Sequence, residues 1–143
     1  MKTDFQDVAG VIACAIWADG QYDEAEKETV GEIADALEYN EMQFNVAVDN
    51  AVKKVQKMTD EEIDAYLSDC ASSVDDDEIG VVFEAAMQMV LCDGVMTLSE
   101  AELLHAMGEA LGISPAMVTM LLADMIKHEP ELELDFGTDD AEQ

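Results

Sequence analysis

The chain has 143 residues, half of them hydrophobic, and its 34 carboxylates against six lysines give a formal net charge of −28. A chain of this length suits one domain, which buries roughly 70% of the surface of the unfolded chain, so the apolar half can form a core. The lack of arginine and the strong negative charge exclude nucleic acid and anionic membrane surfaces as direct partners. They favour cations, or a basic protein or peptide.

Helix starts recur along the chain as a capping residue followed three positions later by Glu or Gln. The pairs are Thr3 with Gln6, Asp23 with Glu26, Asn40 with Gln43, Thr59 with Glu62, Asp75 with Glu78, and Thr97 with Glu100. A seventh start is Ser114 followed by Pro115 at the first helical position. Apolar residues recur at spacings of three and four, which predicts an all-α domain. The predicted helices span 4–18, 24–38, 41–57, 60–72, 76–92, 98–111 and 115–128.

The first of these helices contains the apolar run Val8–Ala18, which is too short to cross a bilayer and predicts a buried helix. The three cysteines form no C-x-x-C pair and have no disulfide-rich spacing. Both observations fit a protein of the reducing cytoplasm, which is the localisation that we expect.

An internal repeat organises the chain. A shift of 74 residues aligns Val8–Asp49 with Val82–Ala123 without a gap and brings the helix starts of the two segments into coincidence. This alignment predicts a single domain over 1–128, built from two halves that are related by a pseudo-twofold axis. The halves cover about 4–55 and 78–128, and the linking helix covers about 60–72. The acidic residues 129–143 are expected to form a flexible tail, in which Leu132, Leu134 and Phe136 offer apolar contacts for docking on another surface.

The repeat contains two related Asp-Gly turns, "ADGQYDEAE" from Ala18 and "CDGVMTLSE" from Cys92. One interpretation is structural, because glycine can end a helix in the left-handed conformation and the following capping residue and Glu can start the next. The other interpretation is a Ca²⁺ or Mg²⁺ site, since clustered carboxylates suit these ions. Ala15 and Trp17 stand where an EF-hand requires oxygen ligands, so that loop is excluded. The candidate ligands are Asp19, Asp23, Glu26, Asp93, Thr97 and Glu100.

The repeated "ADG" and "CDG", each following an apolar helix and each followed by Glu, resemble the TerB-like domain of the tellurite resistance proteins. The resemblance extends to about residue 128. It implies an all-helical cytoplasmic protein linked to tellurite resistance and other stress responses. It also implies that metal-binding acidic positions correspond to Asp19 and Glu26 in the first copy and to Asp93 and Glu100 in the second. Thr97 stands in the second copy where the first copy has Asp23, which predicts that the two halves bind a metal ion with unequal affinities.

No catalytic pattern accompanies these turns in the sequence. His105 and His128 have no spacing typical of a catalytic dyad or a zinc site, and no phosphate-binding or nucleophile motif is present. We therefore predict that the protein is not an enzyme. Two functions remain open, namely an acidic interaction module and a divalent-cation-binding protein. The methionines concentrated in the second half are expected to fill the core rather than to line a partner groove.

Overall fold

The computed structural model describes residues 2–19, 24–92, 94–128 and 133–135. Within these ranges the chain forms seven α-helices and two three-residue strands, so the all-α single-domain prediction is confirmed. The helices are α1 (Phe5–Asp19), α2 (Glu24–Ala36), α3 (Glu41–Val55), α4 (Asp60–Ser72), α5 (Ile79–Val90), α6 (Leu98–Leu111) and α7 (Pro115–His128). The strands are β1 (Val95–Thr97) and β2 (Glu133–Asp135), and a 3-10 turn, Asp76–Glu78, precedes α5.

Helix α1 is the centre of the fold. Every residue from 8 to 16 is buried, and the helix packs against α3, α4, α5 and α6. An α-helix that is apolar on all sides can be stable only when other elements surround it. The prediction of a buried first helix is therefore confirmed.

Several helices start as the capping pattern predicts. Thr59 and Glu62 form a reciprocal capping box at the start of α4, with both hydrogen bonds between 2.9 and 3.2 Å. Asn40 Oδ1 accepts a hydrogen bond of 3.0 Å from the backbone N–H of Gln43 at the start of α3. Local sequence signals suffice at these positions because both partners lie within one helical turn.

Two predicted capping boxes are wrong, because their side chains bond across the fold instead. Asp4 Oδ1, and not Thr3, accepts from the backbone N–H of Gln6 at 2.8 Å. Glu78 Oε1 accepts from the backbone N–H and the hydroxyl of Thr3, at 2.9 and 2.6 Å. The Thr3 hydroxyl oxygen accepts in turn from the backbone N–H of Asp75 at 2.9 Å. These contacts tie the N-terminus to the turn that precedes α5.

The helices that the 74-residue shift equates are α1 with α5, α2 with α6, and α3 with α7. Helices α1 and α5 pack against each other. The third helices differ, because α3 buries five side chains, whereas α7 buries two, Val118 and Leu122. The pseudo-twofold relation of the halves stays a prediction.

The methionines of the second half divide between core and surface. Met87, Met89 and Met107 are buried, as expected for core residues. Met117 and Met120 on α7 are 47% and 65% exposed, so the core interpretation does not cover them.

The two strands pair in parallel, with Val95 opposite Glu133, Met96 opposite Leu134 and Thr97 opposite Asp135. Strand β1 follows the second Asp-Gly turn, and β2 lies in the segment for which the sequence predicts a flexible tail. The remaining residues beyond 128 lie outside the described ranges, so the tail prediction is not decided for them.

Candidate functional site

The second Asp-Gly turn has the geometry that the structural interpretation predicts. Gly94 adopts a left-handed φ of 79°, and its N–H donates to the carbonyl oxygen of Leu91 at 3.0 Å. Thr97 then caps α6, since its hydroxyl accepts from the backbone N–H of Glu100 at 3.2 Å. Glu100 Oε1 accepts in return from the backbone N–H of Thr97 at 2.9 Å. The Thr97–Glu100 box is therefore confirmed.

The glutamates that follow the two turns are buried, which the capping pattern did not predict. Glu26 is 3% exposed and Glu100 is 1% exposed, and the 74-residue shift equates them. Glu62 completes the same kind of box at the start of α4 while remaining exposed. Capping alone therefore does not require a glutamate to be buried. Burial of a carboxylate is costly unless hydrogen bonds or charges compensate it.

The other candidate ligands are distributed differently. Asp19 is the last residue of α1, whereas Asp23 and Asp93 lie outside the described residues. Within the described ranges, no group of three or more His, Cys, Asp or Glu side chains is arranged to hold a metal ion. Asp23 and Asp93 are not among the described residues, so this result does not decide whether the six predicted ligands lie together.

A second acidic feature lies on α2, and sequence reasoning missed it. Glu28, Glu32 and Asp35 are exposed at spacings of four and three, which places them along one side of the helix. Together with Lys27, Gly31 and Glu41 they line an open cleft of about 660 Å³. The i, i+4, i+7 spacing of these carboxylates is the signal that could have identified this face.

Glycine shapes the floor of this cleft. A Cβ atom at Gly31 would lie 3.2 Å from Oε1 of Glu41, so the carboxylate of α3 rests over the backbone of α2. Helix α2 packs against α3 beside this contact. The cleft therefore combines carboxylates from two packed helices, which fixes their relative positions better than a loop would.

The buried thiols between α1 and α4 offer little nucleophilic chemistry. Burial, reinforced by the neighbouring Cys70, raises the pKa of the Cys14 thiol to about 12. Burial also raises the pKa of Cys70 to about 11. Because the thiolate is the nucleophile, both groups remain in the unreactive thiol form near neutral pH.

These observations define an all-α domain in which an Asp-Gly sequence lies at or just after the end of each of the apolar helices α1 and α5. The family model described as tellurite resistance protein TerB matches residues 6–123. The chain therefore belongs to the TerB family. Comparisons with curated proteins and with solved structures found no match. Among the helices that the structure describes, none has the length and apolar character needed to cross a membrane.

Proposed function

We propose that this TerB-family protein is a non-enzymatic interaction module, which binds a basic protein or peptide through the acidic cleft on α2. The observation that carries the proposal is the convergence of Glu28, Glu32, Asp35 and Glu41 on one open cleft. We place this activity in the cytoplasm, as part of a response to tellurite or a related stress, on the basis of the family.

The distribution of lysines supports the assignment of the cleft. Lys53 and Lys54 lie in the last turn of α3, and Lys127 lies in the last turn of α7, where positive charge complements the helix dipole. Of the residues that line the cleft, Lys27 alone is basic. A basic ligand would therefore meet a strongly negative potential there, and its association should be fast and sensitive to salt.

The expected affinity follows from the number of exposed ion pairs. An exposed carboxylate and lysine pair contributes about 0.2 to 1 kcal/mol, so four such pairs contribute about 1 to 4 kcal/mol. By themselves these pairs correspond to a dissociation constant of about 1 mM or weaker. Salt weakens the complex further, because the Debye length falls from about 10 Å at 0.1 M to about 3 Å at 1 M salt.

A matched pair of variants tests the cleft. The cleft variant is Glu28→Gln, Glu32→Gln and Asp35→Asn, and the control variant is Asp49→Asn, Glu61→Gln and Glu109→Gln. Both remove three exposed carboxylates and therefore change the net charge equally. The probe is a fluorescently labelled octalysine peptide, and the measurement is its anisotropy at low salt.

We expect the cleft variant to bind octalysine about three- to a hundredfold more weakly, while the control variant retains most of the affinity. Equal losses in the two variants would show that net charge alone attracts the peptide, and would refute the cleft as its site.

We also propose a second function, the binding of Ca²⁺ or Mg²⁺ at the two Asp-Gly turns. The observation that favours it is the burial of Glu26 and Glu100, since Glu62 makes the same capping box while exposed. The two buried carboxylates would ligate a divalent cation, with Asp19, Asp23, Asp93 and Thr97 as further oxygen donors.

Glu100→Gln and Glu62→Gln form a matched test, because glutamine can replace glutamate in a capping box. A cation at 100 times its dissociation constant should stabilise the unmutated chain by about 2.7 kcal/mol. We expect Glu100→Gln to abolish the rise in melting temperature on adding calcium, and Glu62→Gln to retain it. The absence of any response to millimolar calcium or magnesium in the unmutated chain would remove this second function.

A further inference from the structure

We propose that the edge of β1 is a docking site for an extended basic peptide segment, and that the chain's own strand β2 occupies this edge until such a segment displaces it. The inference goes beyond the proposed function, because the basic character of this partner follows from the charges of the tail and of the rest of the chain. The site itself is separate from the cleft on α2.

The first observation is that β1 is a fixed edge. Met96 at its centre is 1% exposed, and Thr97 at its end is held by the capping box with Glu100. The left-handed Gly94 sets the direction of the chain just before the strand. An edge anchored at its centre and at both ends can present its backbone groups without rearrangement.

The second observation is that this edge already accepts an extended segment. Glu133–Asp135 pairs with β1 in parallel and in a single register. Backbone pairing of this kind depends little on sequence, so the residues that β2 contributes show where a strand binds rather than which sequence is preferred. Other extended segments can therefore pair with β1 at the same edge.

The third observation is that β2 is a poor occupant of this edge. The pairing covers three residues on each strand, and an isolated two-stranded pair is marginally stable in water. Residues 129–143 carry seven carboxylates and no basic residue, and residues 1–128 carry the other 27 carboxylates and all six lysines. The tail and the body of the protein therefore repel each other.

The partner's chemistry follows from this repulsion. A segment with lysines in place of Glu133 and Asp135 would keep the backbone pairing and replace repulsion with attraction. It competes against a tail that is covalently attached and therefore present at a high effective concentration. Such a segment can displace the tail, because the tail pairs over three residues only and has the same sign of charge as the rest of the chain.

The probe is a labelled peptide with the sequence of residues 129–136, in which Glu129, Glu131, Glu133 and Asp135 are replaced by lysine. Two further peptides separate pairing from charge. One is the unmodified acidic sequence, and the other is the basic peptide with prolines at positions 134 and 135 and with lysine in place of Phe136, so that both basic peptides carry four lysines. Proline removes a backbone donor and disrupts strand pairing while the charge stays the same.

The protein is the full chain, compared with the variant Leu134→Pro, Asp135→Pro and the control Thr138→Pro, Asp139→Pro. Because successive N–H groups of a strand point to opposite sides, prolines at two adjacent positions remove at least one donor to β1. We expect the basic peptide to bind the Leu134→Pro, Asp135→Pro variant about tenfold more tightly than the unmutated chain or the control. We expect the proline-containing and acidic peptides to bind at least about tenfold more weakly than the basic peptide.

Hydrogen exchange locates the site. The β1 amides that donate to β2 should exchange faster in the Leu134→Pro, Asp135→Pro variant, and the basic peptide should restore their protection. The amide of Thr97 donates to Glu100 and should change little. Equal affinity of the basic peptide for this variant and the unmutated chain, or unchanged exchange at β1, would overturn the proposal. Binding that the cleft variant on α2 abolishes, and that neither set of prolines affects, would also overturn it while leaving the proposed function intact. Failure of octalysine to distinguish the cleft variant from its control would instead count against the proposed function alone.

Discussion

Replacement of Gly10 by alanine should destabilise the protein, although alanine is the better helix former. Gly10 lies within α1, where this helix packs against α4. A Cβ atom there would overlap Sγ of Cys70 and lie 3.0 Å from the hydroxyl oxygen of Tyr66. Tyr66 has a further neighbour, because Nζ of Lys54 lies 5.6 Å from the centre of its ring.

The expected magnitude is a balance of two terms. Overpacking of a well-filled core costs about 1 to 3 kcal/mol, and alanine gains about 1 kcal/mol over glycine in a helix interior. The net loss for Gly10→Ala is therefore about 0 to 2 kcal/mol. Gly80 in α5 is exposed, and a Cβ atom there would meet nothing within 4 Å. Gly80→Ala should consequently be neutral or stabilising by up to about 1 kcal/mol.

Urea unfolding followed by circular dichroism at 222 nm measures both variants. The decisive quantity is the difference between them, which should be about 1 to 3 kcal/mol in favour of Gly80→Ala. A double-mutant cycle with Cys70→Ala should show positive coupling, because removal of Sγ relieves part of the overlap. If Gly10→Ala is as stable as Gly80→Ala, the close approach of α1 and α4 is refuted.

Four further predictions concern charge, protonation and the exposure of the thiols. The melting temperature at pH 7 should rise with ionic strength, because salt screens the repulsion within a chain of net charge −28; a fall would contradict this account. Burial, reinforced by Asp4, raises the pKa of Asp7 above 3.8, so the stability that its proton provides is lost as the pH rises through that pKa. Asp7→Asn should therefore stabilise the fold at pH 7 and change little at pH 3. Hydrogen bonds from Thr3 and Lys2 lower the pKa of Glu78 below 4.5, so its contribution is present above pH 4.5 and is lost as the pH falls through the lowered pKa. Glu78→Gln should therefore lower the melting temperature at pH 7, and the difference should shrink in acid. A disulfide-exchange reagent at pH 8 should label the partly exposed Cys92 before the buried cysteines, as mass spectrometry of the digested protein would show.

The sequence by itself determined the helices of this fold. Seven helices, the burial of α1 and the capping boxes of Thr59 and Thr97 all follow from apolar spacing and from partners within one turn. Such signals are readable because a helix forms its own hydrogen bonds locally. The repeated Asp-Gly pattern also indicated the TerB family, to which the chain belongs.

The tertiary structure decided which of these local signals prevail. Glu78 bonds to Thr3, which lies 75 residues away, instead of closing a capping box with Asp75. The box of Glu100 is buried and that of Glu62 is exposed, although the two patterns read alike in the sequence. Glu131 to Phe136 alternates acidic and apolar residues, as a strand does, but only the tertiary structure shows that Glu133–Asp135 pairs with β1. Each of these features depends on which surfaces meet after the helices pack, and helical periodicity fixes only the face that a residue occupies, not the neighbour that covers it.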